Sequence, residues 1–344
     1  MNETACNASL STIDVEPGKT YRIRFIGATA LTFASLAIED HDLMQVIQAD
    51  GYASLLYPNM KDLTIPRSYT QPATTSFLQI ASGQRYDVLL NTLPSPPKDQ
   101  YYIQVEARER PIVTRSFAIL NYGSKPSEPI YPPAVQPFPL PSTSTSFLDY
   151  QLIPLYQRDV DDFPTADQVT RRVTIKVHQR PVPGQGDQII WLENEFSWNP
   201  NVPKEPYLVS LYKNDSIEFP SLARALANNG VDNVTGTFPA EIGEVIEIVL
   251  QNTGSASNGV DAHPFHAHGH HYYDIGSGNG TYDAEANEEK LKGTSPVKRD
   301  TTVLYRYATT MANGADAGWR AWRLRIIEPG AWMIHCHILQ HMIM

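Results

Sequence analysis

The sequence predicts an all-β protein made of two β-sandwiches that are joined by a proline-rich linker. Short strand-like segments recur along the chain, and 27 prolines and 20 glycines separate them. Aromatic residues that suit strands are common, with 18 tyrosines and 11 phenylalanines. A length of 344 residues is large for one ordinary domain, so two domains are expected.

The first domain is predicted over residues 1–122. Turn signals at Pro17-Gly18, Gly51 and Gly83 separate its apolar segments, in the rhythm of an antiparallel sandwich. Its predicted strands are residues 21–27, 34–40, 44–50, 86–91 and 101–107.

A linker with polyproline character is predicted over residues 123–146, where prolines are dense and strand patterns are almost absent. The second domain then covers residues 147–344. Residues 223–228 form its one short helical candidate. Its predicted strands are residues 173–179, 207–212, 244–251, 301–307 and 322–328.

Charge and hydropathy exclude several classes of partner. The formal net charge of -10 argues against nucleic acid and anionic membranes, because both attract basic proteins. No run approaches about 18 apolar residues, so no membrane span is expected.

Glycosylation sequons indicate a secreted protein, although the first residues do not form a signal peptide. We expect a signal peptide that this chain does not include. If Cys336 binds a metal, Cys6 is left either as an unpaired thiol or as half of a disulfide with an upstream partner. The sequons lie at Asn2, Asn7, Asn214, Asn233 and Asn279.

Eight of the ten histidines fall in two clusters, HPFHAHGHH from His263 and HCHILQH from His335. The other two, His41 and His178, are expected in turns or on strand faces. Because side chains alternate along a strand, His335 and His337 should point to one face and Cys336 to the other. One metal could then lie on the cysteine side and a second centre on the histidine side, a few bonds apart. The same alternation places His266 and His268 on a common face.

Copper is the metal that these residues favour. One thiolate with two imidazoles, here Cys336 with His263 and His341, is the trigonal set of a blue-copper site. Structural zinc sites favour paired cysteines, which this chain lacks, so a zinc-binding sandwich is the weaker alternative. A surface polyhistidine tract is disfavoured because both clusters end β-patterned segments. His270 and His271 are expected beside the ligands rather than among them.

HPFHAHGH and HCHILQH resemble the two C-terminal copper motifs of the multicopper oxidases, the family of laccases, ascorbate oxidases and ferroxidases. Residues 18–51 resemble the family's middle cupredoxin domain. Residues 273–285 and 295–307 are similar to ascorbate oxidase and its fungal relatives. The resemblance covers essentially the whole chain and implies two Greek-key cupredoxin-like sandwiches.

The resemblance also implies roles for single residues. His263, Cys336 and His341 would hold a type 1 copper, which takes electrons from a diphenol- or ascorbate-like substrate. Cys336 would pass the electrons on through its neighbours His335 and His337, and these three are the candidate catalytic residues. A trinuclear cluster would reduce dioxygen to water. Its ligands here would be His266 for the type 2 copper, and His268, His335 and His337 for the type 3 pair.

Several family features are expected to lie outside this chain. The family's first cupredoxin domain supplies two further H-x-H pairs, and no histidine precedes His41 here. We therefore expect a piece of a longer protein, inactive alone, with its last sandwich and its axial type 1 position incomplete. Many fungal laccases hold phenols with a carboxylate in the middle domain, but the matching position is Leu31. The alternative function is a non-catalytic electron-transfer or copper-binding protein with one copper.

Overall fold

The structure is a computed structural model that describes residues 9–51, 69–109, 112–124, 130–142, 145–182, 184, 188–197, 205–213 and 218–342. Cys6 and the sequon asparagines Asn2, Asn7 and Asn214 lie outside these residues. Contacts between Cα atoms divide the chain into two units. The first unit contains residues 1–49 and 70–147, and the second contains residues 50–69 and 148–344.

The described part of the first unit forms two sheets. One has the strand order β1-β9-β8-β3-β6 and the other β2-β7-β4-β5. All five predicted strands are present, and Val46 on β4 and Val88 on β7 are fully buried. The strands are β1 (Thr12–Asp14), β2 (Thr20–Ile26), β3 (Phe33–Ile38), β4 (Met44–Ala49), β5 (Tyr69–Thr75), β6 (Leu78–Ile80), β7 (Arg85–Asn91), β8 (Gln100–Arg108) and β9 (Thr114–Asn121).

The second unit also has two sheets, with the strand orders β11-β10-β12-β17-β14-β15 and β16-β13-β18. Its strands are β10 (Arg171–Pro181), β11 (Ile189–Glu193), β12 (Val245–Thr253), β13 (His263–Ala267), β14 (Tyr272–Gly278), β15 (Lys298–Arg299), β16 (Thr301–Leu304), β17 (Asp316–Arg325) and β18 (Ile334–Cys336). Its helices are α1 (Gln157–Asp161), α2 (Tyr207–Lys213), α3 (Leu222–Leu226) and α4 (Ala284–Leu291), with 3₁₀ turns at Ala166–Gln168 and Leu339–His341. The predicted all-β class with cupredoxin-like sandwiches is confirmed.

Each unit contains a pair of parallel strands, whereas the sequence pattern predicted antiparallel strands. β1 pairs with β9 in parallel, and β10 pairs with β12 in parallel. Both pairs join strands that are distant in sequence, because parallel neighbours need a crossover connection rather than a tight hairpin. β10 thereby becomes an inner strand, and the hairpin strand β11 forms the edge of the six-stranded sheet.

One predicted strand is wrong. Residues 207–212 form the helix α2, whose first turn begins with a bond from the Ser210 amide to the Pro206 carbonyl. The segment YLVSLY is β-rich in composition, but β-propensity is expressed only where a neighbouring strand and a packed face are available. Tyr212 is 89% exposed and no residue of α2 is buried, so within the described residues this segment has neither a neighbouring strand nor a packed face. The helix predicted at residues 223–228 is present as α3.

The two sheets of the second unit are tied together by Trp322 on β17. Its buried ring stacks on Tyr272 at 3.9 Å between centroids. Its indole Nε1–H donates to Thr302 Oγ1 on β16 at 2.7 Å. Because β16 pairs with β13, this contact fixes the position of the strand that begins at His263.

None of the helices in the described residues has the length and apolar character needed to cross a membrane.

Candidate metal centre

Two antiparallel strands bring the histidine motifs together. β13 and β18 pair so that Phe265 lies opposite Cys336 and His266 lies opposite His335. Residues opposite one another in such a pair point to the same face. The His337 amide then donates to the Pro264 carbonyl at 2.6 Å, which extends the pairing past the end of β18.

The first group, here called the cysteine cluster, consists of His263, Cys336 and His341. All three are buried, and their ligand atoms lie within 4.8 Å of one another. The Nδ1 atoms of His263 and His341 are 3.0 Å apart, and Cys336 Sγ lies 3.7 Å from His341 Nδ1. Two imidazole nitrogens and one sulfur therefore face a common point.

Two further side chains position His341. Asp261 Oδ2 lies 3.4 Å from His341 Nε2, on the side of the ring away from the cluster. A carboxylate at Nε2 favours the tautomer that leaves Nδ1 free to bind a metal. The indole of Trp191 on β11 stacks against the same imidazole at 4.2 Å between ring centroids. The 3₁₀ turn Leu339–His341 completes the placement through a bond from the His341 amide to the Ile338 carbonyl.

The second group, here called the histidine cluster, consists of four imidazoles on the opposite face of β18. The Nε2 atoms of His268 and His335 are 3.1 Å apart. The ring centroids of this cluster are separated by 4.8 to 5.8 Å. The two imidazole rings of the cysteine cluster are 4.8 Å apart by the same measure, so the histidine cluster is the looser one. The members are His266, His268, His335 and His337.

Two members of the histidine cluster, His335 and His268, favour the neutral imidazole. Burial lowers the pKa of His335 to about 4, although a hydrogen bond between its Nδ1 and the Cys336 carbonyl, at 2.9 Å, opposes the shift. Burial also lowers the pKa of His268, and the neighbouring histidines act in the same direction. A neutral imidazole keeps a lone pair, which is the form that binds a metal.

A polar network holds His266 in place. Its Nδ1 lies 3.0 Å from both the Asp300 carbonyl and Thr301 Oγ1. The Thr301 hydroxyl donates to Asp300 Oδ1 at 2.7 Å. Asp50 extends the network by accepting from Arg299 Nε at 2.7 Å. With Nδ1 occupied in this way, His266 has its Nε2 left for a ligand.

His270 and His271 lie beside the histidine cluster. His271 Nε2 is 3.5 Å from Asp300 Oδ2, and the His270 ring meets Trp332 edge-on at 5.5 Å. Three residues that contact the clusters were not predicted from the sequence: Asp261, Asp300 and Trp191. Asp261 had a weak signal, because it precedes His263 by two residues. Trp191 had none, because β11 is remote from both histidine motifs in sequence.

The donor sets fit copper. A thiol and two imidazole Nδ1 atoms that face one point form the His₂Cys set of a blue-copper site, and the cluster lacks the second cysteine that is usual in structural zinc sites. Four imidazoles on one face of β18 suit copper as well.

Comparison of the sequence with known protein families agrees with a copper-binding protein of cupredoxin-like fold. Profiles described as multicopper oxidase match residues 1–125 and 198–344, and together they span most of the chain. The chain belongs to the multicopper oxidase family.

Individual relatives are fungal and plant proteins. The chain is 42% identical to "Laccase-like multicopper oxidase 1" of Thermothelomyces thermophilus, over 99% of this chain and 52% of that protein. It is 28% identical to the L-ascorbate oxidase of Cucumis sativus, over 96% of this chain and 53% of that protein. The chain thus spans about half the length of the curated relatives it matches.

Solved structures show the same fold. The crystal structure of Fet3p, a multicopper oxidase that functions in iron import, superposes with a TM-score of 0.66 at 22% identity, over 98% of this chain and 56% of that one. A laccase from Botrytis aclada (L499M mutant) superposes with a TM-score of 0.64 at 21% identity, over 97% of this chain and 51% of that one.

Proposed function

We propose that this chain is the copper-binding part of an oxidase that couples one-electron oxidation of small reductants to the reduction of dioxygen to water. The observation that carries the proposal is the alternation at His335-Cys336-His337, where one strand presents a thiol to one donor cluster and imidazoles to another. The reductants are of the diphenol or ascorbate class. Copper, when bound, supplies one-electron redox chemistry at both clusters.

The residues of the chain have distinct roles in this proposal. His263, Cys336 and His341 form the type 1 site, where electrons from the reductant enter. The peptide that joins Cys336 to His335 and His337 is a covalent path a few bonds long between the two clusters. His266 is the proposed type 2 ligand, and His268, His335 and His337 are the proposed type 3 ligands. Asp261 and Trp191 hold His341 in its orientation.

The four imidazoles of the histidine cluster need further donors to close a trinuclear cage. We propose that an additional cupredoxin-like domain of the whole protein supplies them, so that the 344-residue chain alone is inactive. The protein is proposed to be a secreted glycoprotein, because Asn233 and Asn279 lie in sequons and are exposed.

Copper analysis and oxygen consumption test this function on the full-length protein. We expect several coppers per chain, a blue absorption band, and oxygen uptake when a diphenol or ascorbate is added. Copper binding without oxygen uptake from any reductant would contradict the oxidase.

A one-copper electron carrier is the second candidate, since the cysteine cluster is the more compact of the two. It predicts a single copper per chain, a full blue band and reversible electron exchange without oxygen uptake. Copper stoichiometry therefore distinguishes the two functions directly.

A further inference from the structure

The first unit carries a surface cleft that contains none of the proposed copper ligands. Its volume is about 440 Å³, and the described residues that line it all belong to this unit. They come from the hairpin of β8 and β9 and from residues 136–142 of the proline-rich segment. The cleft is therefore a feature of the unit that has no role in copper binding.

A buried carboxylate, Glu106, organises the polar part of this cleft. Its Oε2 accepts from Arg108 Nη2 at 3.0 Å and from Arg108 Nε at 3.2 Å. Its Oε1 accepts from Nε of Arg115, the opposite residue on β9, at 2.9 Å. The side-chain amides of Gln104 and Gln136 also donate to Oε1, at 3.3 and 3.4 Å. Burial alone would raise the pKa of Glu106, but the hydrogen bonds from the two arginines hold it below 4.5. Both oxygens of a charged carboxylate are therefore occupied, so Glu106 is not available to a cationic ligand.

The two arginines differ in the donors that remain to them. Arg108 is 11% exposed, and its Nη1 donates to the Pro141 carbonyl in addition to its bonds to Glu106. Arg115 is 42% exposed and uses only its Nε, since its Nη1 and Nη2 donate to no residue that the structure describes. Two N–H groups at the end of a planar guanidinium match the two oxygens of a carboxylate. Arg115 therefore offers a carboxylate site at the cleft.

The rest of the lining is largely apolar. Val113, Pro139 and Leu140 line the cleft, and Val113 is 46% exposed. A hydrocarbon group that covers these side chains is stabilised by the apolar surface that it removes from water. Glu109 also lines the cleft, and its negative charge opposes a second anionic group on the ligand. The lining therefore matches one carboxylate joined to an apolar body.

We propose that this cleft binds a small monocarboxylate with an apolar body. The ligand carboxylate accepts from Nη1 and Nη2 of Arg115, whose Nε stays on Glu106, and the apolar body lies against Val113 and Leu140. The formal net charge of the chain, -10, repels anions at long range, so an anion is retained only where local donors hold it. The site is independent of the proposed oxidase function, because none of the proposed copper ligands lines it.

Equilibrium dialysis of two matched probes against the full-length, copper-loaded protein tests the site. The first probe is 2-naphthoate, an ionised monocarboxylate at neutral pH. The second is 2-naphthamide, which has the same ring system and no charge. The variants are Arg115→Gln, which removes the paired donors, and Val113→Ser, which removes apolar surface. Arg24→Gln is the control, because Arg24 is 69% exposed on β2 of the same unit and does not line the cleft.

Each variant has its own expected pattern. The wild-type protein should bind 2-naphthoate about tenfold more tightly than 2-naphthamide, since a hydrogen bond to a charged group is worth about that factor. Arg115→Gln should weaken 2-naphthoate about tenfold and leave 2-naphthamide unchanged. Val113→Ser should weaken both probes by a similar factor, and Arg24→Gln should change neither. Arg115→Lys keeps the charge beside Glu106 but lacks the paired donors, so it should weaken 2-naphthoate several-fold, and it replaces Arg115→Gln if that variant does not fold.

Three results would overturn the proposal. They are no saturable binding of 2-naphthoate by the wild-type protein, equal affinity of the wild-type protein and both Arg115 variants for it, and an equal loss of both probes in the Arg115 variants. Oxygen uptake keeps this inference separate from the proposed function, because Arg115→Gln should leave it unchanged. A protein that binds the probes in the expected pattern but consumes no oxygen would overturn the oxidase and leave the carboxylate site standing.

Discussion

At the scale of single residues, neighbours on one strand should have separable roles. Replacing Cys336→Ser in the full-length protein should remove the blue band and abolish substrate oxidation, because the thiolate is the source of the colour and the point where electrons enter. Replacing His335→Ala should keep most of the band and abolish oxygen uptake, because its ring lies in the other cluster. Absorption spectra and oxygen-electrode traces measure both effects. Loss of the band in both variants would mean that the clusters are not independent.

The contact between Asp261 and His341 predicts a change in copper affinity. Asp261→Asn removes the negative charge that holds the His341 tautomer, so copper affinity at the cysteine cluster should fall roughly 10- to 100-fold. Competition with a copper chelator, followed by the blue band, gives the affinity. Asp42→Asn is the control, because Asp42 is exposed in the first unit. Unchanged affinity would show that the carboxylate does not act through His341.

Glu193 predicts a pH dependence of stability. Burial raises its pKa in the folded protein to about 8, against an ordinary value of 4.5 in the unfolded chain, so the folded state holds more protons between these values. Stability should therefore fall as pH rises from about 4.5 to about 8, by up to a few kcal/mol. Glu193→Gln should flatten this part of the profile and raise stability at pH 8, whereas Glu195→Gln should not. Urea unfolding across this pH range measures the slope, and identical slopes for wild type and Glu193→Gln would contradict the burial argument.

At the scale of secondary-structure elements, the turn after β13 depends on glycine. Gly269 has φ +78°, and a Cβ there would lie 2.3 Å from the Trp332 ring. Gly269→Ala should therefore destabilise the protein by more than the 1–3 kcal/mol of backbone strain, and it should displace His268. Gly293→Ala is a matched control, with φ +77° and nothing within 4 Å of its Cβ. Thermal unfolding compares the two variants, and equal losses would mean that the Trp332 contact is unimportant.

A strand could be predicted from the sequence where its residue pattern agrees with the face that it buries. β4 and β7 alternate in sequence and bury the matching face, so their residues alone indicated strands. Residues 207–212 show the opposite case, because their composition favours a strand while none of the described strands pairs with them. β13 was not among the predicted strands, because histidine and proline stand where apolar residues usually mark a strand, although alternation was used to place His266 and His268 on one face.

At the scale of the whole molecule, the two clusters differ in completeness. The cysteine cluster draws all three of its donors from this chain, whereas the histidine cluster presents imidazoles from one side. The 344-residue chain produced alone should therefore bind copper at the cysteine cluster and show no turnover of dioxygen. Visible spectra and oxygen uptake of this chain, compared with the full-length protein, measure the difference. Measurable ascorbate or diphenol oxidation by the 344 residues alone would contradict the need for further donors.

The fold class, the family resemblance and the candidate ligands could all be inferred from the sequence alone. Strand alternation is a local property, so the spacing of His335, Cys336 and His337 was enough to assign them to opposite faces. The side chains that contact these ligands became evident only in the folded chain. Trp191 and Asp261 reach His341 through the pairing of strands and turns that are far apart in the chain, and such pairing follows from packing of the whole sandwich, which no local pattern encodes.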